Sequence, residues 1–205
     1  MSGTDYDAIA GPYAANVAGE LAGKPFDRAW LDAFAARWAG RGTVADIGCG
    51  PGHAAAYLAA RGVRALGIDA SAGMLAEARR LHPGLRFARA DMLGLGARPG
   101  RFAAAVALYA LVHCDDAALA RALGAFRAAI RPGGELLLAV HLGAGWLRPG
   151  AMWGVPVSLA FRLFGEGELE AAVGAAGFAL EDAVAREPYP GVEYPSRRLY
   201  LRARA

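Results

Sequence analysis

The sequence predicts a doubly wound α/β fold, with a seven-stranded, mostly parallel sheet and helices on both faces. Three observations point there. Short apolar runs alternate with helix-forming stretches along nearly the whole chain, the rhythm of right-handed strand–helix–strand crossovers. Phe102 to Tyr109 is almost continuously apolar, as expected of a central parallel strand covered on both faces. Thr43 to Ile47, apolar and β-branched, passes through Gly48, Gly50 and Gly52 into the helix formers Ala54 to Arg61. A strand running through glycines into a helix brings a ligand close to bare backbone at a helix N-terminus.

Each element has its own signal. Residues 4 to 38 read as two helices ahead of the sheet. In the first, Tyr6, Ile9, Tyr13 and Val17 recur at helical spacing, although Gly11-Pro12 should kink or break the run. The second starts near Pro25 and carries the stripe Phe26, Trp30, Phe34 and Trp38, which reads as packing onto the sheet. Arg64 to Ile68 is the second strand, and Ser71 caps a helix from Ala72 to His82 that Pro83-Gly84 stops. Leu85 to Ala90 is the third strand, and Gly94 to Gly100 reads as a loop. Asp115 or Asp116 caps the helix running to Ala129, and Glu135 to His141 is the fifth strand. Glu168 to Ala176 is a helix ended by Gly177, and Phe178 to Arg186 and Arg197 to Arg204 are the last two strands.

Gly143 to Gly165 breaks the rhythm. It carries Trp146, Met152, Trp153, Phe161 and Phe164 among several glycines and prolines. Such an insert can cover an active site or be a packed connection. Its place after a strand end that faces the ligand crevice favours the cover.

At 205 residues the chain reads as one domain, residues 1–205, able to bury its own core. The hydrophobic fraction of 56% rests heavily on alanine. The net charge of +3 comes with no dense basic block, so nucleic acid is not implied, and Arg197, Arg198, Arg202 and Arg204 read as solvated surface. Cys49 and Cys114 form no C-x-x-C pair, which fits a reducing compartment. No signal peptide is read at the N-terminus, and the apolar run Phe102 to Val112 falls short of the roughly twenty residues a membrane span needs. A soluble, cytoplasmic protein with no membrane association, monomer or homodimer, is the expectation.

Asp46 precedes the first glycine, giving D-x-G-x-G-x-G. Gly67-Ile68-Asp69-Ala70-Ser71 closes the second strand, Ala90-Asp91-Met92 the third, Leu108 to His113 the fourth, and Arg131-Pro132-Gly133-Gly134 precedes the fifth. In this order the segments resemble the motifs of the class I S-adenosylmethionine (SAM)-dependent methyltransferases over nearly the whole chain. One glycine motif alone would be weak, and the ordered set is strong. A nicotinamide-binding turn would need G-x-G-x-x-G, and here His53 stands in the place of the third glycine.

The resemblance implies a Rossmann-like sheet with its last strand antiparallel, SAM as cofactor with S-adenosylhomocysteine as product, and a small-molecule acceptor methylated on O or N; the alanine- and arginine-rich composition suits a bacterial tailoring enzyme. It implies N-terminal helices (residues 1–40) over the cofactor site and residues 143–165 as cover. The implied cofactor contacts are Tyr13, Asp46, Gly48, Cys49, Gly50, Gly52, His53, Asp69, Ala70, Met74, Asp91, Met92 and Leu108. Among these, Asp69 would hold the ribose hydroxyls, Asp91 with Met92 the adenine, and Tyr13 would close over the methionine end, with core packing as its alternative. Asp46 would organise the glycine turn or hold the methionine ammonium, and Cys49 reads as a small packed residue. A SAM-binding protein with a regulatory or repurposed role is the competing reading.

In an open sheet the ligand lies outside the carboxyl ends of the strands, where strand order reverses. The ends at the glycines, at Asp69, near His113 and near His141 share that rim. Where the acceptor must lose a proton, His113 is the first candidate base and His141 the second. Tyr109, His113, Trp146 and Trp153 are the expected acceptor contacts. Leu108-Tyr109-Ala110-Leu111 stands where amino-group methyltransferases carry N-P-P-Y. His113-Cys114-Asp115-Asp116 is not expected to hold a metal, because adjacent side chains diverge and no second cluster completes a coordination sphere.

Overall fold

The computed structural model describes residues 4–205. In chain order the helices are α1 (Thr4–Val17), α2 (Pro25–Trp38), α3 (His53–Ala59), α4 (Ala72–Leu81), α5 (Asp116–Ala129) and α6 (Glu168–Ala175). The strands are β1 (Thr43–Ile47), β2 (Arg64–Asp69), β3 (Arg86–Arg89), β4 (Phe102–Leu108), β5 (Ile130–His141), the short pairs β6 (Trp146–Leu147) to β9 (Phe161–Arg162) with β7 (Ala151–Met152) and β8 (Val155–Pro156) between them, then β10 (Ala179–Arg186) and β11 (Arg198–Arg204). Short 3₁₀ turns cover Glu20–Gly23, Met92–Ala97 and Leu111–His113.

The seven-stranded sheet runs in the order β10-β11-β5-β4-β1-β2-β3. Only β11 runs opposite to the other six strands, pairing Leu201 with Ala183 on one side and with Leu138 on the other. The chain leaves β1 in one direction and returns on its other side at β4, so strand order reverses between them.

Alternation along the strands sends side chains to two cores. Leu136, Leu138 and Val140 of β5 join Leu123 and Phe126 of α5 and Val173 of α6. Leu137 joins Leu31, Phe34 and Trp38 of α2 and Leu58 of α3 on the other face. Here α2 is also tied by a charge: Arg37 donates to both oxygens of buried Glu135 (2.9 and 2.6 Å), and Trp38 Nε1 adds a third bond (2.9 Å).

Three elements differ from the sequence expectation. Helix α1 is continuous through Pro12, because Ile9, Ala10 and Ala14 are buried on one side and Ala8, whose carbonyl loses its partner, is on the exposed side. Strand β5 begins at Ile130, already paired with Phe102; the next pair is Ala104 with Glu135, so Arg131 to Gly134 bulge outward instead of preceding the strand. Gly134 fits that bulge because a Cβ there would sit 2.4 Å from Ile130 and 2.5 Å from the Ala103 carbonyl. The segment after β3 is wound into a 3₁₀ turn, capped where Asp91 accepts from the Leu93 amide (2.9 Å).

Candidate active site

The site starts where β1 ends. The amides of Gly48 and Cys49 both donate to the Ile68 carbonyl (2.8 and 3.1 Å), holding the glycine turn against β2. Asp69, at the end of β2, completes the strap: Oδ2 accepts from the Gly50 amide (2.9 Å) and Oδ1 from the Ser71 amide (2.8 Å). A carboxylate has about four lone-pair positions, so Asp69 keeps acceptor capacity toward the space beside it. Burial raises its pKa, against the pull of those amides. Ser71 then caps α4 by accepting from the Met74 amide (3.0 Å).

A cavity of about 280 Å³ opens beside this strap, at the carboxyl ends of β1, β2 and β4. Of the expected residues it is lined by Tyr13, Gly48, Cys49, Gly50, His53, Asp69, Ala70, Met74, Met92, Leu108, Tyr109, His113 and Trp146. Gly50 is the glycine of the turn with room on its cavity side: a Cβ there would meet only the Tyr13 ring, at 3.8 Å. Tyr109 follows β4 with a φ of 56°, a left-handed conformation that non-glycine residues hold only where their surroundings impose it.

Five expected site residues lie elsewhere. Asp46 is buried beneath the turn, where it accepts from the Ala55 amide (2.9 Å), and burial pushes its pKa up to about 6. Gly52 faces away: its missing Cβ makes room for Phe87 (2.8 Å) and His82 (3.2 Å). Asp91 is exposed and spends its carboxylate on capping, while its neighbours Ala90 and Met92 line the cavity. His141 sits behind Tyr109, ring centroids 4.8 Å apart, and shares a hydrogen bond with Ser196 (2.9 Å). Burial first, then Arg198 and Lys24, drive its pKa down to about 4. Trp153 is the tip of the β7–β8 hairpin, 41% exposed, and stands edge-to-face against the cavity-lining Tyr13 (5.4 Å between centroids).

Other wall residues were not singled out from sequence. Tyr6 and Asp5 on α1, Glu20 after it, and Ser158 to Ala160 in the insert all line the cavity. No residue of α2 does, so of the two N-terminal helices only α1 borders the site. Tyr6 had a readable signal, sharing a helical face with Tyr13, but that pattern reads equally as packing. Burial would raise Glu20, yet His53 Nε2 at 3.3 Å and the Lys24 ammonium at 2.8 Å outweigh it and hold it at about 2. The other ring nitrogen of His53 is buried with no hydrogen-bond partner among the described residues. Cys49 is packed, its thiol pKa raised by burial.

Tyr6 and His113 are joined. The Tyr6 hydroxyl meets His113 Nε2 at 2.7 Å, and His113 Nδ1 meets the Ala160 carbonyl at 2.7 Å. A carbonyl only accepts, so Nδ1 carries the ring proton, and Nε2 of the neutral ring accepts from Tyr6. Burial lowers the His113 pKa, which keeps the ring neutral at pH 7.

Residues 44–134 match the family model described as a methyltransferase domain. The matched stretch runs from β1 into β5, a little under half of the chain, and over it the chain is similar to methyltransferases. A trans-aconitate 2-methyltransferase of Methylobacterium nodulans is 52% identical over 58 residues, 27% of this chain and 22% of that protein. A demethylmenaquinone methyltransferase of Beutenbergia cavernae is 35% identical over 127 residues, 62% of this chain and 51% of that protein. These alignments thus span from about a fifth to about half of the relatives' own lengths. Among solved structures, the Burkholderia thailandensis 1,6-didemethyltoxoflavin-N1-methyltransferase, with bound 1,6-didemethyltoxoflavin and S-adenosylhomocysteine, superposes with a TM-score of 0.69 at 22% identity, covering 100% of this chain and 90% of that one. The cyclase SpnF superposes with a TM-score of 0.72 at 20% identity, covering 98% and 94%. At these identities the two structures share the fold.

Proposed function

We propose that this protein binds SAM in the cavity at the glycine turn and transfers its methyl group to a small molecule held in the same cavity. The observation that carries the reading is the strap between Asp69 and the Gly50 amide, which sets a carboxylate with spare lone pairs beside an open glycine. Asp69 would hold the ribose hydroxyls. Ala70, Met74, Met92 and Leu108 offer an apolar slot for the adenine, and the methionine end would lie toward Gly48, Gly50 and His53, under Tyr13. The unpartnered Nδ1 of His53 is a buried polar atom awaiting a partner, as a fitted ligand would supply. Bound SAM supplies a methyl group on a positively charged sulfur.

What remains for the chain is to orient the acceptor, exclude water and, where needed, take a proton. The insert contributes Trp146 and Ser158 to Ala160 to the wall, so it is positioned to border the acceptor. Relatives named for trans-aconitate and demethylmenaquinone make a small acceptor the natural class, and the short alignments leave the compound open. Calorimetric titration tests the reading. Wild type should bind SAM and not NAD, and Asp69→Ala should bind SAM about 1–3 kcal/mol more weakly, the scale of lost hydrogen bonds to a charged group. Wild-type affinity in Asp69→Ala would remove the ribose assignment. SAM uptake with no methyl transfer to any small molecule would favour a repurposed binding protein.

A further inference from the structure

Given SAM in this cavity, on which the following rests, we propose that Tyr6 and His113 form a proton relay that deprotonates an uncharged phenolic or enolic hydroxyl, with Tyr6 as the group that meets the acceptor. Both ring nitrogens of His113 are already committed, Nδ1 to the Ala160 carbonyl and Nε2 to the Tyr6 hydroxyl. An acceptor entering the cavity therefore finds no free lone pair on the imidazole. It finds Tyr6, which lines the cavity and whose oxygen gives its proton to Nε2 and keeps its own lone pairs as acceptors. Tyr6 lies edge-on to Tyr13 (6.0 Å between centroids), and Tyr13 faces Gly50, so the relay stands one aromatic ring from the glycine turn.

The step balances. The acceptor O–H bond breaks as its proton passes to the Tyr6 oxygen, and the original Tyr6 proton passes to Nε2. The freed oxygen pair forms the bond to the methyl carbon, and the carbon–sulfur pair returns to sulfur. One positive charge thus moves from sulfonium to imidazolium, where the Ala160 carbonyl stabilises it through Nδ1–H, and the proton is later lost to solvent.

The acceptor class follows from the wall. Among the described residues, Asp5, Glu20 and Asp69 line the cavity and no lysine or arginine does, so a polycarboxylate would meet like charge with no counter-ion from the chain. Lys24, beside Glu20, is buried and turned to Glu20 and Glu193. A neutral amine needs no base, so a relay has work only where a hydroxyl must ionise. On the elements around His113, α1 carries Asp5, Tyr6, Asp7 and Tyr13, Cys114 and Asp115 follow the histidine, α5 carries Asp116, Arg121 and Arg127, and Arg162 on β9 pairs with Asp116 and Glu168. The Phe161 ring covers the imidazole from the insert (4.9 Å).

Two measurements test the relay. The first uses the ligand-free protein labelled with ¹⁵N-histidine, with the His113 signals assigned by their loss in His113→Ala. Nε2 should report a lone pair accepting a hydrogen bond in wild type and shift toward the unbonded imidazole value in Tyr6→Phe. An unchanged Nε2 signal overturns the pairing. The second measures methyl transfer from SAM to substituted phenols with pKa values from about 7 to about 10, the upper end being that of tyrosine. Tyr6→Phe should lose little on phenols ionised at the assay pH and about 10²–10⁴-fold on the least acidic. His113→Ala should follow the same trend, and the double variant should be no worse than the worse single one. A loss uniform across the series, additive losses, or no transfer to any phenol would each overturn the proposal. SAM titration of the same variants keeps the outcomes apart: failure of wild type to bind SAM sinks the proposed function, whereas normal binding with an unaltered phenol series sinks the relay alone.

Discussion

At the scale of single residues, the motif that stood out in the sequence holds three different jobs. Gly48, although it lines the cavity, is required by Ala110, which a Cβ would approach to 2.6 Å; Gly52 is required by Phe87; Gly50 alone of the three has room for a Cβ, with only the Tyr13 ring at 3.8 Å. Spacing identified the turn but could not separate these, because the neighbours that decide come from β3 and from beyond β4. Asp69 was legible for the same reason the turn was, since it ends the strand next to the glycines. Asp91 and His141 end strands on the same rim, yet a local cap consumes the first and Tyr109 stands in front of the second. Gly52→Ala should therefore destabilise the fold while its folded fraction binds SAM as wild type does. Thermal melts and titration together check this, and weakened binding by a fully stable variant would place Gly52 at the ligand.

At the scale of elements, the alternating strands and helices were readable because burial on both faces of a parallel sheet leaves long apolar runs. The insert was not readable beyond its aromatics. It folds as nested strand pairs, β6 with β9 and β7 with β8, and the nesting points Trp146 into the cavity wall and Trp153 outward onto Tyr13. Trp146→Ala should therefore lower acceptor turnover more than Trp153→Ala does, with SAM affinity near wild type for both; the reverse order would exchange their roles. The continuity of α1 through Pro12 was hidden because its cause is tertiary. On the far face, Arg37→Met leaves Glu135 buried with Trp38 as its remaining side-chain donor, and should cost about 1–3 kcal/mol in denaturant unfolding without affecting SAM binding. A change below about 0.5 kcal/mol would mean that the pair contributes little.

At the scale of the whole molecule, a band of buried charge joins the cavity to the last loop. Arg186 bonds Asp27, Glu193 and the Tyr200 hydroxyl, and Lys24 lies between Glu20 and Glu193. None of this was visible in sequence, where these residues are scattered over more than 150 positions. It gives the protein a signed pH dependence. His141 titrates at about 4, so an unfolded chain binds its proton first as pH falls below about 6.5, and stability drops. Glu20 and Glu193 are held at about 2, Glu193 because Arg186, the Tyr189 amide and Arg198 outweigh its burial, and their contribution is lost as pH falls from about 4.5 toward 2. Asp46 opposes them, gaining between about 6 and 4, because burial makes the native state hold its proton. His113, also lowered by burial, adds to the loss and Asp69, also raised by burial, joins Asp46; the balance predicts a lower melting temperature at pH 4 than at pH 7. A flat or rising profile would contradict the network.

In the proposed function SAM sits on the open side of the glycine turn. Calorimetric titration of SAM into Gly50→Val, beside a thermal melt of the same preparation, tests it most directly. The valine side chain would fill the space toward Tyr13, and at a φ of 51° it would also strain the turn by about 1–3 kcal/mol. The expected outcome is a folded variant, somewhat less stable, in which SAM binding is lost. A folded Gly50→Val that takes up SAM with wild-type affinity would contradict it.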